Sequence, residues 1–227
     1  MYVLHYAPDN ASLIVRLALE EAGLPYRTAL VNRATRQQDS AAYRALNPTG
    51  LIPVLETPEG ALFETGAILL WLADRTGGLA PAPADPARGD FLKWLFFLSN
   101  TAHADLRRLF YPGEYVPAGA EAGHHAIMAA RMQRHFALLD AAAQAQPQLF
   151  AAPSVLAPYV AALMRWSVLY PEGQDAWFRL ADFPALASVV RALEARPAVT
   201  RAAAAEGLGR TPFTAPEYAC PPEGSAT

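Results

Sequence analysis

The chain has one cysteine, Cys220, among its 227 residues, so no internal disulfide can form and the core has to hold the fold together. That is compatible with a reducing compartment, and a cytoplasmic location is expected. A dominant charge of one sign is also missing. Formal net charge is −3 and charged residues make up only 17% of the chain, which leaves no basic surface for nucleic acid and no polybasic segment for anionic lipid. No uninterrupted apolar run reaches the roughly 18 residues of a membrane-spanning helix. The N-terminus enters Tyr2-Val3-Leu4-His5-Tyr6 without a charged segment ahead of a long apolar one, so neither secretion nor membrane insertion is expected. There is no glycine-rich nucleotide loop, and His124-His125 and the acidic residues lack metal-ligand spacing; neither nucleotide nor metal is assigned.

Apolar residues are abundant, at 53%, which is ample for a buried core. Residues 2–6 read as a strand, broken by Pro8-Asp9-Asn10, and Leu13, Leu17 and Ala18 then lie on one helical face that ends at Gly23. Asp9, Asn10 or Ser12 is available as the cap of that helix. Tyr26–Val31 reads as a second strand and residues 40–46 as a short helix stopped by Pro48 and Gly50. Strands at 54–56 and 61–63, joined at Pro58-Glu59-Gly60, precede a helix over 64–75.

Gly77-Gly78 and the proline-rich run from Pro81 to Pro86 interrupt this pattern, as a linker over 77–86 would. Beyond it the signal is helical: about 87–110, 122–145 and 154–169, with shorter stretches near 184–195 and 198–205. The expectation is an α/β domain over 1–76, an all-α domain over 87–210, and an extended or disordered proline-rich tail over 211–227.

Two local features point to binding of a small peptide with a free carboxylate. Ile52-Pro53 stands immediately before a strand, where an extended ligand can add to the sheet edge by main-chain hydrogen bonds. Glu64-Thr65 stands where a strand gives way to a helix, whose first N–H groups are unpaired and receive anions. Thr65 also reads as a simple helix cap. In the second half, Asn100 and His103 are three apart and so share a helical face, as Trp166 and Tyr170 do at a spacing of four. Phe110, Tyr111, Trp166 and Tyr170 are plausible apolar walls of an inter-domain pocket and equally plausible core residues.

The run Asn47-Pro48-Thr49-Gly50-Leu51-Ile52-Pro53-Val54-Leu55, the run from Leu62-Phe63-Glu64-Thr65-Gly66 to Leu72, and the opening Tyr6-Ala7-Pro8-Asp9-Asn10-Ala11-Ser12-Leu13 together resemble the glutathione S-transferase superfamily. The resemblance extends from residue 1 to about 205 and is nearest in pattern to bacterial beta-class enzymes. It implies a thioredoxin-like first domain, a helical second domain and a cytosolic homodimer. Its implied chemistry joins the co-substrate glutathione to a small hydrophobic electrophile without a metal. It further implies a cis Ile52–Pro53 bond, although only about 5–6% of X–Pro bonds are cis. Ile52 and Pro53 would hold the cysteinyl backbone, Glu64 and Thr65 the γ-glutamyl end, and Arg33 or Arg36 the glycyl carboxylate. Asn100 or His103 would approach from the second domain.

A thiol with a pKa of about 8.5 is mostly protonated at neutral pH, so its activation needs a hydrogen-bond donor. The family places a Tyr, Ser or Cys near the end of the first strand or the start of the first helix, and in the beta-class register the cysteine position is Ala11. Alanine supplies neither a donor nor a nucleophile. Ser12 is the leading thiolate donor, with Asn10 and Tyr6 as alternatives. A second departure is Ala157, where the family carries an acid that completes the helix cap begun by Ser154. These departures motivate a reading of another class, a non-catalytic glutathione-binding or protein-interaction module.

Overall fold

The computed structural model describes residues 1–226. Its first half is a four-stranded mixed sheet ordered β2-β1-β3-β4, from β1 (Tyr2–Tyr6), β2 (Tyr26–Leu30), β3 (Val54–Thr57) and β4 (Gly60–Phe63). β1 and β2 run parallel because α1 (Ser12–Glu21) crosses between them, while β1–β3 and β3–β4 are antiparallel. Side chains alternate across the sheet. Leu4, Tyr6 and Leu55 enter the large core beneath α1 and α3 (Thr65–Thr76), whereas Val54 joins Val31 and Tyr43 under α2 (Ala41–Leu46) on the opposite face.

Residues 77–87 carry no helix or strand, and seven α-helices follow among the described residues. These are α4 (Arg88–Phe97), α5 (His103–Phe110), α6 (Glu121–Ala145), α7 (Pro147–Phe150), α8 (Leu156–Leu169), α9 (Pro184–Glu194) and α10 (Pro197–Glu206). Proline opens α9 and α10 at a first-turn position where its missing N–H costs no hydrogen bond. α1 is buried along most of its length between the sheet and helices α8 and α10. A buried ion pair, Arg16 Nε to Glu206 Oε1 at 2.7 Å, ties it to the end of α10. The architecture is the expected α/β thioredoxin-like unit followed by a helical one.

Three local expectations need correction. The helix expected over 87–110 is broken by a π-helical turn at Leu98–Ala102, closed by the His103 N–H bonding to the Leu98 carbonyl. Thr65 does not cap α3: Glu64 holds the cap position and supplies no side-chain hydrogen bond. Ser12 is not the cap of α1 but its first residue.

Residues 207–226 carry no helix or strand, yet they pack onto the body of the protein. Phe213 is buried, the Phe213 and Thr214 N–H groups donate to Glu194, and the Tyr6 hydroxyl donates to Glu223. Thr227, the last residue of the expected tail, lies outside the described residues.

Candidate functional site

A cavity of about 840 Å³ opens between the loops at one end of the sheet and the helices. Its first wall is the segment 47–53, built around the buried Asn47 side chain. Asn47 Nδ2 donates to the Leu51 carbonyl at 2.7 Å, while its Oδ1 accepts from the Thr49 N–H at 3.1 Å and the Thr49 hydroxyl at 2.8 Å. Gly50 has φ +70°, a backbone conformation that favours glycine, and a Cβ there would stand 3.1 Å from the Arg44 guanidinium. The Ile52–Pro53 bond is cis. Ile52 lies just outside the β3 ladder, and its backbone N–H and C=O have no protein partner among the described residues.

The second wall is the start of α3. Ile68 is the first residue to make the helical bond, to the Glu64 carbonyl at 3.0 Å, which leaves the N–H groups of Thr65, Gly66 and Ala67 without helical partners. Glu64 has φ +71°, a conformation that L side chains rarely adopt and that recurs at ligand clamps. It is exposed to the cavity, while Thr65 beside it is buried. Gly66 meets Ser99 of the π-helical turn, where a Cβ would come within 3.0 Å of the serine Cβ. The two parts of the protein are thus in close contact directly behind the open first turn of α3.

Helices α5 and α8 form the facing wall. His103, Arg107, Phe110, Tyr111, Tyr159, Trp166 and Tyr170 all line the cavity. His103 Nδ1 shares a hydrogen bond of 3.1 Å with the Tyr159 hydroxyl, and its ring stacks obliquely on Trp166 at 5.6 Å. Burial, reinforced by the nearby Arg107 charge, lowers the His103 pKa to about 4, so the imidazole is neutral at physiological pH. Arg33 crosses the mouth of the cavity to the Tyr111 hydroxyl at 3.2 Å. Arg36 also lines the cavity and pairs with Asp39 at 2.8 Å.

Of the residues expected at this site, Asn10, Ile52, Pro53, Glu64, Thr65, Arg33, Arg36, His103, Phe110, Tyr111, Trp166 and Tyr170 line the one cavity. Ser12, Tyr6 and Asn100 do not. The Ser12 side chain is fully buried and its hydroxyl donates to the Ala7 carbonyl at 3.0 Å, bracing the first loop from behind. Tyr6 is buried, its hydroxyl held by Glu223 and its ring covered by the Arg16 guanidinium at 4.6 Å. Asn100 is turned outward, with its Oδ1 accepting from the Ser99 hydroxyl. The π-helical turn explains this, because a turn closed over five residues holds more residues than an α-turn. A separation of three therefore covers less of a revolution, and the shared face with His103 is lost.

Of the three side chains considered as donors, Asn10 alone borders the cavity. Its Oδ1 accepts from the Ala11 N–H at 2.7 Å, and its amide nitrogen has no partner among the described residues. Sequence reasoning missed Tyr159, seven residues before Trp166 and hence on the same face of α8. It also missed Arg107, one turn beyond His103, and the tail residues Tyr218 and Ala226, which no local pattern assigns to a cavity.

The family model described as "Glutathione S-transferase, N-terminal domain" matches residues 11–75. A glutathione S-transferase of Xanthomonas campestris is 29% identical over 119 residues, covering 52% of this chain and 57% of that protein. A maleylpyruvate isomerase of Ralstonia is 37% identical over 87 residues, covering 37% of this chain and 41% of that one. The chain thus spans about half the length of these curated relatives. A solved sphingomonad glutathione S-transferase complexed with glutathione superposes with a TM-score of 0.73 at 29% identity, covering 91% of this chain and 100% of that one. Residues 11–75 are thus a glutathione S-transferase N-terminal domain, and the helices that follow are arranged as in the sphingomonad glutathione S-transferase.

Proposed function

We propose that this protein is a glutathione transferase that binds glutathione along the cis-proline edge and delivers its thiolate to a small hydrophobic electrophile. The observation that carries this reading is the meeting, in one cavity, of the unpaired Ile52 backbone groups, the unpaired first turn of α3 and an aromatic wall. The cysteinyl residue pairs with the Ile52 N–H and C=O as a short added strand. The γ-glutamyl carboxylate sits on the first N–H groups of α3, and Glu64 takes the adjacent ammonium group. Arg33 or Arg36 meets the glycyl carboxylate.

The Asn10 amide, rather than the Ser12 hydroxyl, donates to the sulfur and favours the thiolate, assisted by the positive end of α1. The thiol proton leaves to solvent. The sulfur lone pair then forms the C–S bond, and the electron pair of the electrophilic carbon departs with a leaving group or is protonated in an addition. Neutral His103 approaches from the helical side as a hydrogen-bonding group without charge. Phe110, Tyr111, Trp166 and Tyr170 shelter the acceptor from water.

A cytoplasmic homodimer fits the single thiol and the exposed apolar side chains Phe96, Ile127 and Leu138. Among the described residues no helix is long and apolar enough to cross a membrane. Ala11 favours a second reading, a glutathione-binding module without turnover, because the beta-class nucleophile position is empty of chemistry.

Calorimetry with glutathione, paired with a conjugation assay using a general aromatic electrophile, separates the two. Binding with turnover is expected. Binding without turnover across several electrophile classes supports the module, and no binding at millimolar glutathione overturns both.

A further inference from the structure

Asp9 lies at the rim of the cavity, fully buried, in the left-handed conformation with φ +52°. A non-glycine residue pays for that backbone in strain, and glycine would serve the turn better. Its carboxylate is nonetheless held by four donors. Arg165 Nε reaches Oδ1 and a second guanidinium nitrogen reaches Oδ2, both at 2.8 Å; Trp166 Nε1 reaches Oδ1 and the Tyr170 hydroxyl reaches Oδ2, both at 2.9 Å. Trp166 and Tyr170 are two of the aromatic walls on the acceptor side of the cavity.

Arg165, fully buried, also donates to the Pro212 and Glu217 carbonyls. It thereby fixes the tail that brings Tyr218 to the same cavity, with the Tyr218 ring 5.7 Å from Tyr170. The Asp9 N–H donates to the buried Glu206 at 2.9 Å, which anchors the loop from its other side. Burying an ion pair is often no more stabilising than an apolar pair of similar volume. What this one achieves is geometric, since two of its four donors belong to the acceptor wall and the other two to the residue that holds the tail.

We propose that Asp9 is the positioning residue of the acceptor site: its carboxylate locks Trp166, Tyr170 and the Tyr218 segment at a set distance from the loop carrying Asn10. The inference rests on the proposed use of this cavity for an electrophile beside glutathione. It assigns Asp9 to the acceptor rather than to glutathione, because none of its side-chain partners belongs to the 47–53 segment or the start of α3.

Two variants test it. Tyr170→Phe removes one donor while leaving the Arg165 pair intact, and Asp9→Asn keeps a residue that tolerates positive φ while removing the charge. Both folded variants are expected to raise the electrophile KM at least fivefold while the glutathione Kd, read by calorimetry, stays within twofold. Parallel loss of both affinities, or an unchanged electrophile KM in folded Tyr170→Phe, overturns the assignment. An apolar fluorescent dye bound without glutathione gives an independent readout. If the wild type binds no glutathione but Tyr170→Phe shifts the dye affinity fivefold, the transferase reading fails and the positioning role stands. If neither ligand responds to either variant, the positioning role fails.

Discussion

The Ser12 hydroxyl donates to the Ala7 carbonyl at 3.0 Å, so the side chain braces the turn before α1 and faces away from the cavity that the same turn borders. Ser12→Ala is therefore expected to cost about 1–3 kcal/mol of stability, from the buried carbonyl left unpaired, with kcat within about twofold of wild type. A thermal melt and steady-state rates check both parts. A large fall in kcat with an unchanged melting temperature would return Ser12 to the mechanism.

Asn10 carries the opposite expectation. Its Oδ1 is engaged by the Ala11 N–H while its amide nitrogen is unpartnered. Asn10→Ala should lower kcat/KM by roughly 10- to 100-fold, the loss of one hydrogen bond to a charged sulfur. The thiol pKa of bound glutathione, followed by thiolate absorbance, should rise. An unaltered thiol pKa would remove Asn10 from sulfur activation.

Glu64→Gln preserves the size of the side chain on the unusual φ +71° backbone and removes only the charge. A charge-assisted contact to the ligand ammonium is worth about 1.5–3 kcal/mol, so glutathione should bind on the order of 10- to 100-fold more weakly. Calorimetry measures this directly, and an unchanged Kd would mean that Glu64 does not meet the γ-glutamyl end.

Gly66 and Ser99 join the two halves of the protein, and a Cβ at Gly66 would lie 3.0 Å from the serine Cβ. Gly66→Ala should cost about 1–3 kcal/mol by overpacking. Because Gly66 also belongs to the first turn of α3, glutathione affinity should fall with it. A melt and a titration of the same sample test whether the two losses appear together.

His103 supplies a pH dependence with a definite sign. Burial, with the Arg107 charge, lowers its pKa from 6.5 to about 4, so between those values the unfolded chain binds more protons than the folded one. The stability contribution is present above pH 6.5 and is lost as pH falls through 4. The melting temperature of the wild type should drop faster than that of His103→Gln over this window. Parallel curves would show that the histidine is not held neutral.

Much of the fold was legible because its signals are local. Pro8-Asp9-Asn10 ended the first strand, and Gly23 and Gly50 ended helices or turns. The cis Ile52–Pro53 segment and the open helix start at Thr65 were legible for the same reason: each depends on the backbone within a few residues. The single helix expected over 87–110 failed at Leu98–Ala102, where the extra residue of a π-turn leaves hydrophobic periodicity almost unmarked.

The amino-acid sequence alone thus determined the order of strands and helices, the position of the Ile52–Pro53 segment before its strand and the helix start at Thr65, since short-range backbone preferences settle these. Only the tertiary structure decided which side chains of the first loop border the cavity and which turn away from it. Ser12 turns back to Ala7, Tyr6 is taken by Glu223, and Asp9 is claimed by Arg165, 156 residues away. Those choices follow from long-range packing and from the requirement that buried polar groups find partners, which no window of sequence displays.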